Sequence, residues 1–279
     1  MRISVVVPLF SDGRTYVNRL PLQRRQWISL KNQTDRDFEI VGVDNQSYDD
    51  VGGLLKKYFP HAVVFRHEIP KNTVGARVEA VRQAGVPHVV TLDSDCIVYP
   101  HFIENWKRYI ARNAGTIGVG GLYWYNGVVL SGREFILGDP PVEEIDYPGL
   151  EAFLRKTSPG HRPFYPIPSA ILNDDASGIR VEPYNWGGGF YYSNAYFPKD
   201  LYIRAGSPDS DLTGYGHDDT LFGFRLQAMK VPVNYVRGVP VIHQCHRDVS
   251  GKDLSHHEDC RTAHEHEERV QKLAKDLFP

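Results

Sequence analysis

Asp93-Ser94-Asp95 sets two carboxylates one residue apart, directly after the apolar run Val89-Val90-Thr91-Leu92 and before Cys96-Ile97-Val98. Acids at this spacing on a strand end can share a hard divalent cation whose other ligands are phosphate oxygens. A diphosphate leaving group needs that neutralisation as its charge develops. The same tripeptide also arises in solvated turns, so the pair alone does not decide between a site and a turn.

A second constellation stands later in the chain. Trp186-Gly187-Gly188-Gly189-Phe190 is followed by Gly214-Tyr215-Gly216-His217-Asp218-Asp219-Thr220, and then by the apolar-periodic run Leu221 to Leu226. Glycines let backbone approach a ligand closely. Two acids just before a helical run can serve as N-terminal caps. Neighbouring positions on a helix differ in direction by about 100°, so one acid could cap while the other faces a cleft.

These residues need elements to hold them. Ile3 to Phe10 is a continuous apolar run, the pattern of a strand buried on both faces. Leu20, Trp27 and Leu30 then fall at helical spacing, and Phe38 to Asp44 reads as a second strand ending on an acid. Val51 to Phe59 is helical, Ala62 to Phe65 is a third strand, Thr73 to Ala84 is helical and Val89 to Asp93 is a fourth strand. Strand and helix alternating at this spacing predict crossover connections and a mainly parallel sheet with helices on both faces. In such sheets ligands bind beyond the carboxyl ends of the strands. Here those ends carry Pro8-Leu9-Phe10, Asp44 and the Asp93-Ser94-Asp95 pair.

The second half has another character. Residues 138–185 contain eight prolines, too many for regular structure to persist, and Phe153, Phe164 and Tyr165 within the segment favour an ordered loop. Leu221 to Met229 reads as a helix, Pro232 to Val236 as a strand, and Glu265 to Leu277 as a terminal helix in a polar, His-rich tail.

Together, in this order, the motifs resemble those of the family 2-type glycosyltransferases of the GT-A fold, along most of residues 1–246. Ser4 to Phe10 resembles the family's opening nucleotide-binding strand, and Leu30 to Thr34 with Asp37 to Asp44 its second strand. Asn72, Gly75, Ala76 and Arg77 resemble its next nucleotide-side motif, and Asp93-Ser94-Asp95 its metal motif. Gly214 to Leu226 is similar to the G-W-G-x-E-D segment of the β-1,4-galactosyltransferases, the polypeptide N-acetylgalactosaminyltransferases and bacterial chondroitin-type polymerases.

The resemblance implies a single GT-A domain over 1–246, with a nucleotide-binding half (1–100) and a mixed acceptor half (101–246) whose Pro-rich loop is 138–185. A tail, 247–279, follows. The reaction implied is metal-dependent transfer of a sugar from a nucleoside diphosphate sugar, UDP-linked, to a hydroxyl of a carbohydrate or glycan-bearing acceptor, with inversion. A retaining outcome is the alternative within the fold. The nucleotide sugar would meet Pro8, Phe10, Asp44, Asn45, Arg77, Asp93 and Ser94, with Asp44 on the uracil or ribose. Asp95 and His243 would ligate Mn2+ or Mg2+, with Asp93 reaching the ribose or a metal-bound water. Asp219 would be the general base and Asp218 an acceptor ligand, although either acid suits the base. Trp186, Gly188, Gly189 and Tyr215 would line the sugar and acceptor site. The chain departs from the family pattern in three places: Asn45 replaces a second acid, Asp218-Asp219 replaces Glu-Asp, and Tyr215 replaces Trp.

Other classes fit less well. A sugar nucleotidyltransferase wants a Gly-rich basic loop after the first strand, where Ser11-Asp12-Gly13-Arg14 is a poor imitation. A non-catalytic sugar-binding module predicts a damaged metal or base motif, and a dinucleotide-binding dehydrogenase predicts a G-x-G-x-x-G that is absent after the first strand. The late histidines and Cys260 match no closed zinc spacing. The chain has 279 residues, 32 basic and 34 acidic side chains, so it has no cationic excess for duplex nucleic acid. Three cysteines and no long apolar segment predict a soluble, cytoplasmic protein, with contact to a membrane surface left open.

Overall fold

The computed structural model describes residues 1–11, 20–68, 73–125, 179–184, 190–205 and 218–244. Most of the expected loop, Trp186, Gly188, Gly189, Tyr215, Asn72 and the tail lie outside them.

The first half follows the predicted alternation. Strand β1 (Ile3–Leu9) leads through helix α1 (Leu20–Lys31) to β2 (Phe38–Asp44), then α2 (Val51–Tyr58), β3 (Val63–Arg66), α3 (Thr73–Gln83) and β4 (His88–Leu92). β1 pairs in parallel with β2 and β4, and β2 with β3. Pro8 lies beyond the last residue of β1 paired with β4, Val6, so its missing N–H removes no bond on that side.

The elements after Asp95 were less legible. β5 (Cys96–Val98), α4 (Phe102–Asn113) and β6 (Ile117–Tyr125) follow, then β7 (Arg180–Pro183), β8 (Asn194–Pro198), α5 (Lys199–Arg204), α6 (Asp218–Ala228) and β9 (Val233–Gln244). The strands form one sheet in the order β3-β2-β1-β4-β8-β6-β9-β5, with β7 beside β9. Beyond β4 the sheet is mixed, since β8 runs antiparallel to β4 and β6 while β6 and β9 are parallel. The glycines of β6 have a packing reason. A Cβ on Gly118 would stand 2.7 Å from Tyr109 Cε1 and 2.8 Å from Trp106 Cζ3, so only glycine lets the strand pass the aromatics of α4.

Strand β9 runs eight residues past the predicted end at Val236, and this extension brings His243 to the site. A register shift against β6, with Gly238 at φ 91°, lets the pairing resume at Val241. Asn105 Nδ2 donates to the Gly238 carbonyl at 2.6 Å from α4.

Two apolar layers cover the sheet. One joins Trp27, Leu55, Phe102, Trp106 and Tyr109 to Val5, Val7 and Leu92. The other joins Ala76, Val81, Tyr202 and Phe222 to Val6, Val43 and Phe197.

Helix α1 is buried through most of its length, polar residues included. Gln23, Gln26 and Ser29 fall three apart and make one stripe, continued by Gln33 two residues past the helix end, each at 2% exposure or less. Each is hydrogen-bonded to backbone at the strand ends. Gln23 Nε2 donates to the Phe10 carbonyl, Gln26 Nε2 to the Asp93 carbonyl and Gln33 Nε2 to the Tyr99 carbonyl, while Ser29 Oγ accepts the Val98 N–H. The stripe ties α1 to the chain on either side of the two acids, which explains why polar residues are tolerated inside.

Candidate active site

The predicted nucleotide-side residues converge where the strand ends require. Asp44 closes β2, buried, with Oδ1 accepting the Ser47 N–H at 2.8 Å and Oδ2 accepting from Arg66 Nη1 at 3.1 Å. Arg66 is opposite Asp44 in the β2–β3 register and is half-exposed, so the pair is open to solvent on one side. The turn is completed by Gln46 in the left-handed region (φ 61°), held by its amide on the His67 and Glu68 carbonyls. Asn45 donates its N–H to the Leu9 carbonyl, and its Oδ1 lies 3.3 Å from His67 Nδ1. Pro8 is partly covered and Phe10 is exposed at the end of β1.

The two acids of the central pair have different surroundings. Asp93 receives Arg77 on Oδ1 and the Ser193 hydroxyl on Oδ2 at 2.6 Å. Arg77 also lies over the Tyr192 ring, 4.9 Å from its centroid. Arg77 therefore reaches the site through Asp93. Ser94 is buried between the acids.

Asp95 faces His243 instead. His243 Nε2 stands 3.4 Å from Asp95 Oδ1, both side chains under 10% exposed. That separation is long for an N–H···O bond. It suits two ligands of one cation, since donors about 2.1 Å from an ion and at right angles lie about 3 Å apart. Cys96 Sγ joins them, the three donor atoms lying within 4.8 Å of one another. Burial, with the charges of Asp95 and Asp93, pushes the Cys96 thiol well up, and the side chain belongs to an apolar layer of the core. Asp95 and His243 supply the carboxylate and imidazole that suit a hard or borderline divalent ion, whereas a thiol such as that of Cys96 suits a softer one.

Asp218 and Asp219 open α6 as its first two residues, within the first turn rather than ahead of it. Asp219 is partly exposed and its Oδ1 accepts the Thr220 N–H at 2.8 Å. Helix α6 is seated by Phe222, which packs on Phe190, Tyr192, Phe197 and Tyr202. These aromatics are thus core.

Reading along the chain missed Arg66, His67, Ser193 and Gln244. Arg66 and Ser193 become visible only once strand register places them beside Asp44 and Asp93. Gln244 carried a local signal, its position next to His243.

The chain is similar to known proteins in both sequence and fold. The family model described as Glycosyl transferase family 2 matches residues 4–175. Validoxylamine A glucosyltransferase of Streptomyces hygroscopicus subsp. jinggangensis (strain 5008) is 26% identical over 263 residues, covering 87% of this chain and 56% of that protein. Poly(ribitol-phosphate) beta-glucosyltransferase of Bacillus spizizenii (strain ATCC 23059 / NRRL B-14472 / W23) is 28% identical over 152 residues, covering 52% of this chain and 23% of that protein. The chain spans about half the length of the first of these relatives. Two solved structures share the fold at 15% identity. GalNAc-T7 with UDP, GalNAc and Mn2+ aligns with TM-score 0.63 over 100% of this chain and 49% of that one. S. aureus TarS 1-349 in complex with UDP-GlcNAc aligns with TM-score 0.60 over 99% and 66%. With its mixed sheet, its acids at the strand ends and a family match over more than half its length, the chain belongs to glycosyl transferase family 2 and has the GT-A fold.

Proposed function

We propose that this protein transfers a hexose from a UDP-linked donor to a hydroxyl of a carbohydrate or glycan-bearing acceptor, with inversion at the anomeric carbon and with a divalent metal, Mn2+ or Mg2+. The observation that carries the reading is the buried Asp95–His243 pair beside Asp93, at the carboxyl edge of the parallel strands. Two curated relatives are named as glucosyltransferases, and the two structural neighbours are described with UDP or UDP-GlcNAc. These names support a sugar donor carried on UDP.

In this reading Asp95 and His243 would hold the ion, which when bound would neutralise charge on the departing diphosphate. The protein's own residues do the rest. Asp44 and Asn45, with Pro8 and Phe10, receive the nucleoside at the ends of β1 and β2. Asp93, oriented by Arg77 and Ser193, faces the ribose. Ser94 completes that floor. Asp219 takes the proton of the acceptor hydroxyl as its oxygen attacks the anomeric carbon, and Asp218 orients the acceptor. Trp186, Gly188, Gly189 and Tyr215 form the sugar and acceptor wall. Residues 1–100 are the nucleotide side and 101–246 the acceptor side.

Titration of UDP by calorimetry, with Mn2+ and then with EDTA, tests the reading. Binding should require the metal and be lost in Asp95→Ala. Equal binding in EDTA would take the metal role away from Asp95 and His243, and absence of binding in both would remove the nucleotide site.

A further inference from the structure

Gln244, the last residue of β9, is buried at 3% exposure and is the junction between the candidate metal pair and helix α1. Its backbone N–H donates to the Asp95 carbonyl at 3.1 Å, and its side-chain Nε2 donates to the same carbonyl at 2.9 Å. The same nitrogen donates to the Leu22 carbonyl of α1 at 3.0 Å. Its Oε1 accepts from Arg25 Nη1, also on α1, at 3.1 Å. All four bonds lie inside the protein, where each is strong and an unmade one is costly.

The position of these bonds matters more than their number. Asp95 lies in the turn before β5, where strand pairing has not begun, since the β5–β9 register opens with Cys96 against His243. Gln244 extends that register by one residue onto Asp95 and then fastens the turn to α1. Gln26 of the same helix holds the Asp93 carbonyl. Because His243 is the preceding residue, one side chain sets where both metal-facing groups stand relative to each other.

We infer that Gln244 is a positioning residue for metal binding: its amide locks the Asp95 carbonyl to α1 and so sets the gap between Asp95 Oδ1 and His243 Nε2. Two donors held at a fixed spacing meet an ion without first being ordered, whereas a loosened turn must be ordered by the ion at a cost in affinity. This rests on the metal reading proposed above. Hydrogen-bond partners behind metal ligands commonly change affinity by about 10- to 100-fold when removed.

The test is the affinity for Mn2+ alone, read from the free-ion electron paramagnetic resonance signal, on the full chain and three variants. Gln244→Met keeps the length and apolar bulk of the side chain but loses its three side-chain bonds. Gln244→Glu keeps an acceptor for Arg25 and loses both donations, so it covers the case in which the Met variant does not fold. His243→Ala removes a ligand outright. Circular dichroism shows which variants are folded. The inference expects Mn2+ binding at least about 10-fold weaker in folded Gln244 variants, with His243→Ala weaker still. A folded Gln244 variant with unchanged Mn2+ affinity, beside a His243→Ala variant that loses it, overturns the inference and leaves the metal site standing. Unchanged affinity in His243→Ala overturns both.

Discussion

Arg77 and Asp93 form an ion pair closed off on both sides. Asp93 takes the guanidinium on Oδ1 and the Ser193 hydroxyl on Oδ2, while the guanidinium lies on the Tyr192 ring. Their side chains are 8% and 18% exposed. The cation of α3 thus fixes the first acid of Asp93-Ser94-Asp95, leaving Asp95 to face His243. Two acids one residue apart in sequence thus have separate partners.

Arg77→Met should leave the partly buried Asp93 charge without its partner and destabilise the fold by about 1–3 kcal/mol. Arg77→Met with Asp93→Asn should recover most of that stability, because the uncompensated charge is gone. Urea denaturation midpoints of the two variants and the parent check this. A double variant no more stable than the single one would show that the cost lies in lost packing on Tyr192 instead.

Asp219→Asn tests the base without disturbing the helix. The amide oxygen can still accept the Thr220 N–H at the start of α6, so the melting temperature should stay near that of the parent. Turnover should fall by about 10²- to 10⁴-fold, the usual contribution of a positioned proton acceptor, while UDP affinity is unchanged. Donor-sugar transfer assays beside calorimetry separate the two quantities. Full turnover would move the role to Asp218.

His88 should make stability fall on acidification. Its ring lies 3.0 Å from the Tyr196 hydroxyl, and burial lowers its pKa below the ordinary 6.5. As pH drops through about 6.5 the unfolded chain gains a proton that the folded chain takes up less readily, so the folded state loses ground. Above that pH the contribution is complete. His88→Gln should therefore show a shallower decline of unfolding free energy between about pH 7 and pH 5. Parallel slopes for the two proteins would remove His88 as a source of the acid sensitivity.

Gly118→Ala should cost about 1–3 kcal/mol. The added methyl would press on Tyr109 and Trp106, both buried under the sheet. Thermal unfolding reads the loss, and pairing the change with Trp106→Phe should recover part of it by making room.

Much of this organisation was legible along the chain. The apolar runs at Ile3 to Phe10, Phe38 to Asp44 and Val89 to Asp93 are dense enough in β-branched residues that a doubly covered strand is the one element that buries them all. Their ends then put Asp44 and the Asp93-Ser94-Asp95 pair on one edge. By contrast β6, with its glycines, and β8, set among aromatics, have no period of their own, and α4 was passed over despite its regular apolar spacing. β9 continues past Val236 through Gly238 and Pro240, which the strand absorbs as a register shift against β6.

Residue type and local order were enough to single out candidate acids and a candidate histidine, because carboxylates at strand ends and an imidazole late in the chain announce their capability wherever they fold. Which of them meet was settled by pairing between distant strands. The β5–β9 register brings His243 to Asp95, β2 against β3 gives Arg66 to Asp44, and β4 beside β8 delivers Ser193 to Asp93. Such registers depend on how whole faces of the sheet pack against α1, α3 and α4, and no local window of sequence contains that information.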